Sequence, residues 1–408
     1  MPLSPRTVFA RPLLTACLLA SLPASAGDKV TITVDRGPAA SSPASSPAPT
    51  ASPFAGARPS VDLAILLDTS NSMDGLIDQA RRQLWTIVGQ FADAKKAGQT
   101  PLLRVALFEY GNSGLPATEG YLRQVVPLTD DLDVMSEALF ALTTRGGDEY
   151  CGQVIDEAVT RLDWSDEPGG YKTIFIAGNE PFNQGGVDYR SACKRAIEHG
   201  VVVNTVHCGA YDTGVSGEWN LGARLAEGES LNIDQDRVVV DIPSPHDKLI
   251  IELNTELNAT YLWYGKGGGG YGANQEAQDR NAAGLGSSTL VERAAAKSSA
   301  GYGNVGRDLV DSVAADAEVL SRVSDADLPE GMAQMTADER AAFVEEKARE
   351  RAALRTEIQA LSDQRDAYVA AERQRLAEDS GAATLGDAVT QAVAKQLARA
   401  GFEKGAPQ

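Results

Sequence analysis

The stretch from Val61 to Leu67 is almost unbroken apolar sequence, and it stops abruptly at Asp68-Thr69-Ser70-Asn71-Ser72. A strand without polar alternation must be covered on both faces, which is the condition of a central strand in a parallel sheet. From Asp74 to Phe91 the period changes: Leu76, Ile77, Ala80, Leu84, Ile87, Val88 and Phe91 fall on one side of a helix. A buried strand running into an amphipathic helix constrains the fold strongly. It also places the polar pentapeptide at the carboxyl edge of a sheet, where ligands of open α/β sheets bind.

The same alternation continues. Arg104–Tyr110, Tyr121–Leu128, Lys172–Ala177, Val201–Cys208 and Glu229–Ile233 read as strands. Helices are expected near Leu132–Leu142, Gly152–Leu162, Tyr189–His199 and Trp219–Ala226. The fold class that follows is α/β: a doubly wound, mostly parallel open sheet of Rossmann-like type over residues 61–241, followed by a mainly α-helical C-terminal region over 242–408. In that second region 245–257 reads as a helix, Thr260–Tyr264 as a late strand, and the glycine run Gly265–Gly270 as a loop or hinge within 265–272. The run lacks the GxxxxGK[ST] order of a phosphate-binding loop. Residues 336–377 form a long charged helix whose heptad seam is half polar. Val344, Leu354, Ile358, Leu361 and Tyr368 alternate there with Lys347, Arg351, Arg365, Glu372 and Arg375, so packing against the chain or a partner is expected rather than a coiled coil. Residues 385–402 form a last amphipathic helix.

The N-terminal 26 residues have the layout of a secretory signal: Arg6 and Arg11, a short apolar run, and Ala24-Ser25-Ala26 before Gly27. A lipoprotein-like box at Cys17 is the minor alternative. Residues 27–60 comprise a short strand at Val30–Val34 and a linker rich in Pro, Ala and Ser. The expected location is therefore periplasmic or extracellular, with no membrane span in the mature protein. Cys151, Cys193 and Cys208 would remain, permitting one disulfide plus a free thiol, or three packing thiols. A net charge of −19 argues against nucleic acid as a partner, because phosphate backbones would be repelled.

Asp68, Ser70 and Ser72 present three hard oxygens about one point, chemistry suited to Mg²⁺ or Mn²⁺. Helix capping by the same residues is the plainer alternative. In its context the pattern resembles the metal-ion-dependent adhesion site of von Willebrand factor type A domains, and the likeness runs through residues 61–234. Leu142–Asp148 (LTTRGGD) resembles the family's second metal loop, and Thr173–Pro181 (TIFIAGNEP) its fourth strand and following turn. The resemblance implies a divalent-cation site and a protein partner, with Asp68, Ser70, Ser72, Asp148 and Asn179 as candidate metal ligands.

Two positions depart from the family pattern. Asp148 follows the Gly-Gly pair in the second loop, beyond Thr143 and Thr144, and Gly178-Asn179 stands where the family carries an Asp. Coordination by Asp148 would leave the cation less electrophilic, with Glu149 and Glu180 nearby acting in the same direction. The opposing reading is a degenerate, metal-free site. No catalytic residues are assigned. A Mg²⁺-dependent phosphohydrolase using Asp68 is the enzymatic alternative, but Ser70 stands where a second acid would be needed. A metal-free scaffold is the other alternative. Glu109 and Tyr110, ending the second strand, either line the site or make structural hydrogen bonds.

Overall fold

The computed structural model describes residues 58–92, 94–167, 169–234, 241–377 and 385–404. The expected signal, the Cys17 box, the Val30–Val34 strand and the linker up to residue 57 lie outside them.

The domain core is a six-stranded sheet. Its strands in chain order are β1 (Ser60–Asp68), β3 (Leu102–Tyr110), β4 (Arg123–Thr129), β5 (Tyr171–Gly178), β6 (Val201–Cys208) and β7 (Glu227–Ile233). A two-residue strand, β2 (Ala94–Lys95), lies apart from it. The spatial order is β4-β3-β1-β5-β6-β7, all parallel except β4, which runs antiparallel to β3 at one edge. The mostly parallel α/β sheet is as the sequence requires.

Side chains alternate across β1: Val61, Leu63 and Leu67 enter one core, whereas Ala64 and Leu66 enter the other. The first core is roofed by α1 (Asp74–Ala92) and α2 (Leu132–Ala141), the second by α3 (Cys151–Arg161), α4 (Tyr189–Glu198) and α6 (Trp219–Leu225). A short helix, α5 (Tyr211–Ser216), leaves the carboxyl end of β6. At the opposite edge of the sheet, Arg104 meets buried Asp62 through two hydrogen bonds of 2.8 and 2.7 Å.

The C-terminal region comprises α7 (Asp247–Asn258), α8 (Gly268–Leu285), α9 (Ser287–Ser298), α10 (Leu309–Ala315), α11 (Val319–Arg322), α12 (Ala337–Ala377), α13 (Leu385–Arg399) and a short β8 (Glu403–Lys404) paired with β2. Ile250, Leu253, Leu257, Val291, Ala294 and Ile358 belong to the same buried cluster as the α1 face of the sheet, so the apolar core is continuous across the two regions. The last helix returns to the sheet. Val389, Val393 and Leu397 of α13 are buried in that cluster, and Gln396 exchanges amide hydrogen bonds with Asn204 of β6. Residues 242–384 thus lie in sequence between the last strand of the sheet and a helix that covers it.

Two local expectations are corrected. Thr260–Tyr264 makes no strand: it contributes one isolated bridge, Trp263 to Asp308, because arginine and aromatic side chains rather than a neighbouring strand surround it. The glycine run is not all loop, since Gly268–Gly270 form the first turn of α8. At two glycines of this helix the lack of a side chain has a packing cause: a Cβ on Gly268 would stand 3.0 Å from the Trp263 carbonyl, and one on Gly272 would stand 2.8 Å from the Trp263 ring. The three cysteines are separate buried thiols rather than a bridge. Among the described residues no helix is long and apolar enough to cross a membrane.

Candidate metal centre

Three strand ends converge at the carboxyl edge. Asp68 closes β1 beside Tyr110 at the end of β3, and Gly178 closes β5 on the other side. Asp68 is fully buried. Its Oδ1 accepts the backbone N–H of Ser70 at 2.7 Å, the local turn that polar residues favour here. Its Oδ2 meets no donor. The Ser70 and Ser72 hydroxyls lie 3.2 Å apart, and Asn179 Nδ2 donates to Ser72 Oγ at 3.1 Å. Asn179 Oδ1 is likewise buried without a partner. Asp68, Ser70, Ser72 and Asn179 are therefore brought together as one oxygen-rich cluster.

Asp148 is not brought into it. Its side chain is exposed and accepts the Tyr150 hydroxyl at 3.1 Å. The next residue turns inward instead: Glu149 is buried, and its Cγ faces the same space in front of Gly111 as Asp68 Oδ1. Adjacent positions in extended chain point to opposite sides, so only one of the two can face the cluster. Tyr150 at the entry to α3 sets which. The sequence named Glu149 as a neighbour, and no local signal distinguishes it from Asp148.

The surrounding loops are strapped to the end of β1. Arg145 N–H donates to the Thr69 carbonyl at 2.9 Å, and Ser113 N–H to the Gly146 carbonyl at 3.0 Å. Buried Glu109 accepts the Thr69 hydroxyl at 3.1 Å and pairs with Arg123, while Asn112 donates to the Thr143 carbonyl at 3.0 Å. Glu109 is thus a structural acceptor behind the site. Thr143 is exposed, and the Thr144 hydroxyl is engaged by Asp74. Tyr110 donates to the Ala177 carbonyl at 3.0 Å. Gly111, with φ +75°, permits the closest approach: a Cβ there would stand 2.7 Å from Asp68 Oδ1 and 2.8 Å from Glu149 Cγ.

Gly178 occupies the position of the family's strand-end acid for a steric reason. A Cβ at Gly178 would collide with the Tyr110 hydroxyl and stand 3.2 Å from Asp68 Oδ2. Gly178→Ala should therefore cost about 1–3 kcal/mol by overpacking, read as a lower denaturant midpoint at unchanged m-value. An unshifted midpoint would mean that Tyr110 yields freely.

Burial raises the Asp68 carboxyl above its ordinary range, against the lowering effect of the adjacent Glu149 side chain and the Ser70 N–H. Burial and then the adjacent Asp68 charge raise Glu149 further. Two buried carboxyls in contact need either a shared proton or a cation between them. The orphaned Asp68 Oδ2 and Asn179 Oδ1 are hard oxygens of the kind that Mg²⁺ and Mn²⁺ take. An amide reverses its ends by rotation, which would turn Asn179 Oδ1 toward Ser72. The residues present fit a hard divalent ion. Among the described residues no group of three or more His, Cys, Asp or Glu is arranged to hold a metal, so a site here depends on hydroxyl and amide oxygens as well.

Residues 62–216 match the family model of the von Willebrand factor type A domain, and the chain carries a domain of this family. Such domains are often protein-interaction modules and commonly bind a divalent metal at an adhesion site. Similar solved structures include BatB from Bacteroides thetaiotaomicron, at 16% identity and TM-score 0.34, covering 43% of this chain and 90% of that one. Proximal thread matrix protein 1 from the mussel byssus, with a zinc-occupied metal site, aligns at 15% identity and TM-score 0.33, over 45% of this chain and 43% of that one. The pilus adhesin SpaC from Lactobacillus rhamnosus GG aligns at 14% identity and TM-score 0.33, over 43% and 28%. No curated protein matches the chain.

Proposed function

We propose that this chain is an exported, non-enzymatic protein-binding or scaffolding component whose A-type domain holds Mg²⁺ or Mn²⁺ at the carboxyl edge of its sheet. The observation that carries this reading is the orphaned, fully buried Asp68 Oδ2 beside Ser70, Ser72 and Asn179. When bound, the cation supplies a positive charge at the domain's polar face. Asp68 anchors the cluster from the strand end, the two serines supply neutral hydroxyls, and Asn179 bridges from the neighbouring strand. Asp148, Glu180, Tyr211 and Val215 are exposed on loops and the short helix beyond the strand ends, which supports a role for this face in docking a protein.

Thermal unfolding in Mg²⁺ or Mn²⁺ against chelator tests the reading. A ligand that binds only the native state stabilises it by about 2.7 kcal/mol at one hundred times its Kd. Ser70→Ala should remove the metal-dependent rise in Tm while leaving the Tm in chelator nearly unchanged. Identical melting of the unaltered protein with metal and with chelator would sink the metal reading and leave a metal-free scaffold.

A further inference from the structure

We infer that Glu149 is the second acidic ligand of this cation, so that the ion is neutralised from inside the protein and braces the site rather than recruiting an acidic group from a partner. This rests on the metal reading above. Four observations carry it. Glu149 is buried although it lies at the entry to a helix beside solvent-exposed Asp148. Its Cγ and Asp68 Oδ1 flank one point, 2.8 and 2.7 Å from where a Cβ on Gly111 would stand. Neither Asp68 nor Glu149 takes part in an ion pair among the described residues. Finally, Asp68 Oδ2 is sealed from solvent without a donor.

A buried pair of carboxyls with no basic neighbour is costly unless something positive joins it. A dication placed at Asp68, Glu149, Ser70 and Ser72 meets two negative charges and two neutral hydroxyls, which balance its charge. The steric map explains why the second acid comes from the loop. Tyr110 fills the space a side chain at Gly178 would need, whereas Gly111 leaves open the space that Glu149 Cγ enters. The cation then joins the end of β1 to the loop before α3, a loop that the Arg145 N–H already straps to the Thr69 carbonyl. A balanced ion has little remaining attraction for a carboxylate. Docking on this face would then depend on the exposed side chains around it.

The experiment is a Mn²⁺ titration by calorimetry on the full chain, with metal-dependent Tm measured in parallel, for the unaltered protein and for Ser70→Ala, Glu149→Gln, Glu149→Asp and Asp148→Asn. Loss of a carboxylate ligand should weaken Mn²⁺ binding by about tenfold or more in Glu149→Gln, with Asp148→Asn within about twofold of the unaltered protein. Glu149→Asp, which keeps the charge on a shorter stem, serves if the amide variant does not fold. Binding by Glu149→Gln within about twofold of the unaltered protein overturns the inference while leaving the metal site standing. So does an equal loss in Asp148→Asn. Absence of Mn²⁺ binding in the unaltered protein overturns both. Added acetate should leave the Mn²⁺ affinity of the unaltered protein unchanged, and marked tightening by acetate would contradict an internally balanced ion.

Discussion

Replacing Arg351 with alanine should destabilise the protein by about 3–5 kcal/mol, a large effect for a residue outside the apolar core. Arg351 projects from the middle of α12 and is almost wholly buried, at 2% exposure. Its guanidinium donates to Asp308 at 2.7 and 3.1 Å, to Asp311 at 2.9 Å, and to the hydroxyl and carbonyl of Thr260 at 3.1 and 2.7 Å. It also lies 4.1 Å above the Tyr261 ring. Asp308 has no exposure and caps α10 by accepting Asp311 N–H, while its other oxygen accepts Leu262 N–H at 2.6 Å. Deleting the arginine would leave a buried carboxylate facing only backbone donors. Arg351→Lys should recover only part of the loss, because an ammonium cannot reproduce the planar fork. Urea unfolding monitored by circular dichroism checks both. A loss below about 1 kcal/mol for Arg351→Ala would show that the cluster contributes no more than an exposed pair.

The second large effect is expected at Arg293 on α9, which joins the helical region to the sheet domain. It is fully buried, donates to Asp133 at the start of α2 at 2.8 Å, pairs with Asp279 of α8, and stacks over Trp85 of α1. Lys297 adds a second cation at 3.0 Å from Asp279. Arg293→Met keeps much of the stem but should cost about 3–5 kcal/mol, since the buried Asp133 carboxylate would be left with only the Tyr302 hydroxyl. The same network gives a sign for pH dependence. Burial alone would raise the Asp279 carboxyl, but Lys297 and then Arg293 outweigh it and hold the group well below the ordinary range. A depressed native pKa means that this carboxylate's stabilisation is complete above about pH 4 and is lost as pH falls through the native value. The unaltered protein should lose stability on acidification below about pH 4, and Asp279→Asn should show a shallower acid limb. Parallel acid limbs for the two proteins would rule out the linkage.

Both arginines and Arg365 illustrate where sequence reading stops. Along 336–377 the half-polar seam pointed to packing against the chain or a partner rather than a coiled coil, but it did not show which of its arginines would be buried. In the structure Arg351 and Arg365 face inward, at 2% and 5% exposure, because Asp308, Asp311 and Asp247 lie opposite them. Those partners stand more than 39 residues away in sequence, so no window along α12 contains the information. Tyr368, which fits the apolar seam, is instead 42% exposed.

The candidate site divides in the same way. Asp68, Ser70 and Ser72 were legible because an almost unbroken apolar strand giving way to a helical period fixes where the chain leaves the sheet, and the pentapeptide sits at that junction. Asn179 was legible through the resemblance of Thr173–Pro181 to the family's fourth strand and following turn. Asp148 and Glu149 were not separable, since both are acids in one loop and their orientation depends on a turn closed by Tyr150 and on the space left by Gly111.

The amino-acid sequence by itself determined the alternating α/β layout, the carboxyl-edge position of Asp68-Thr69-Ser70-Asn71-Ser72, and the helical character of the C-terminal region. Each of these follows from periodicity within a few turns of chain. Only the tertiary structure decided that Glu149 rather than Asp148 turns toward Asp68, that Gly178 makes room for Tyr110, and that α13 returns to cover the sheet. Those outcomes depend on which distant side chains compete for the same buried volume and charge, and such competition exists only once the elements have packed.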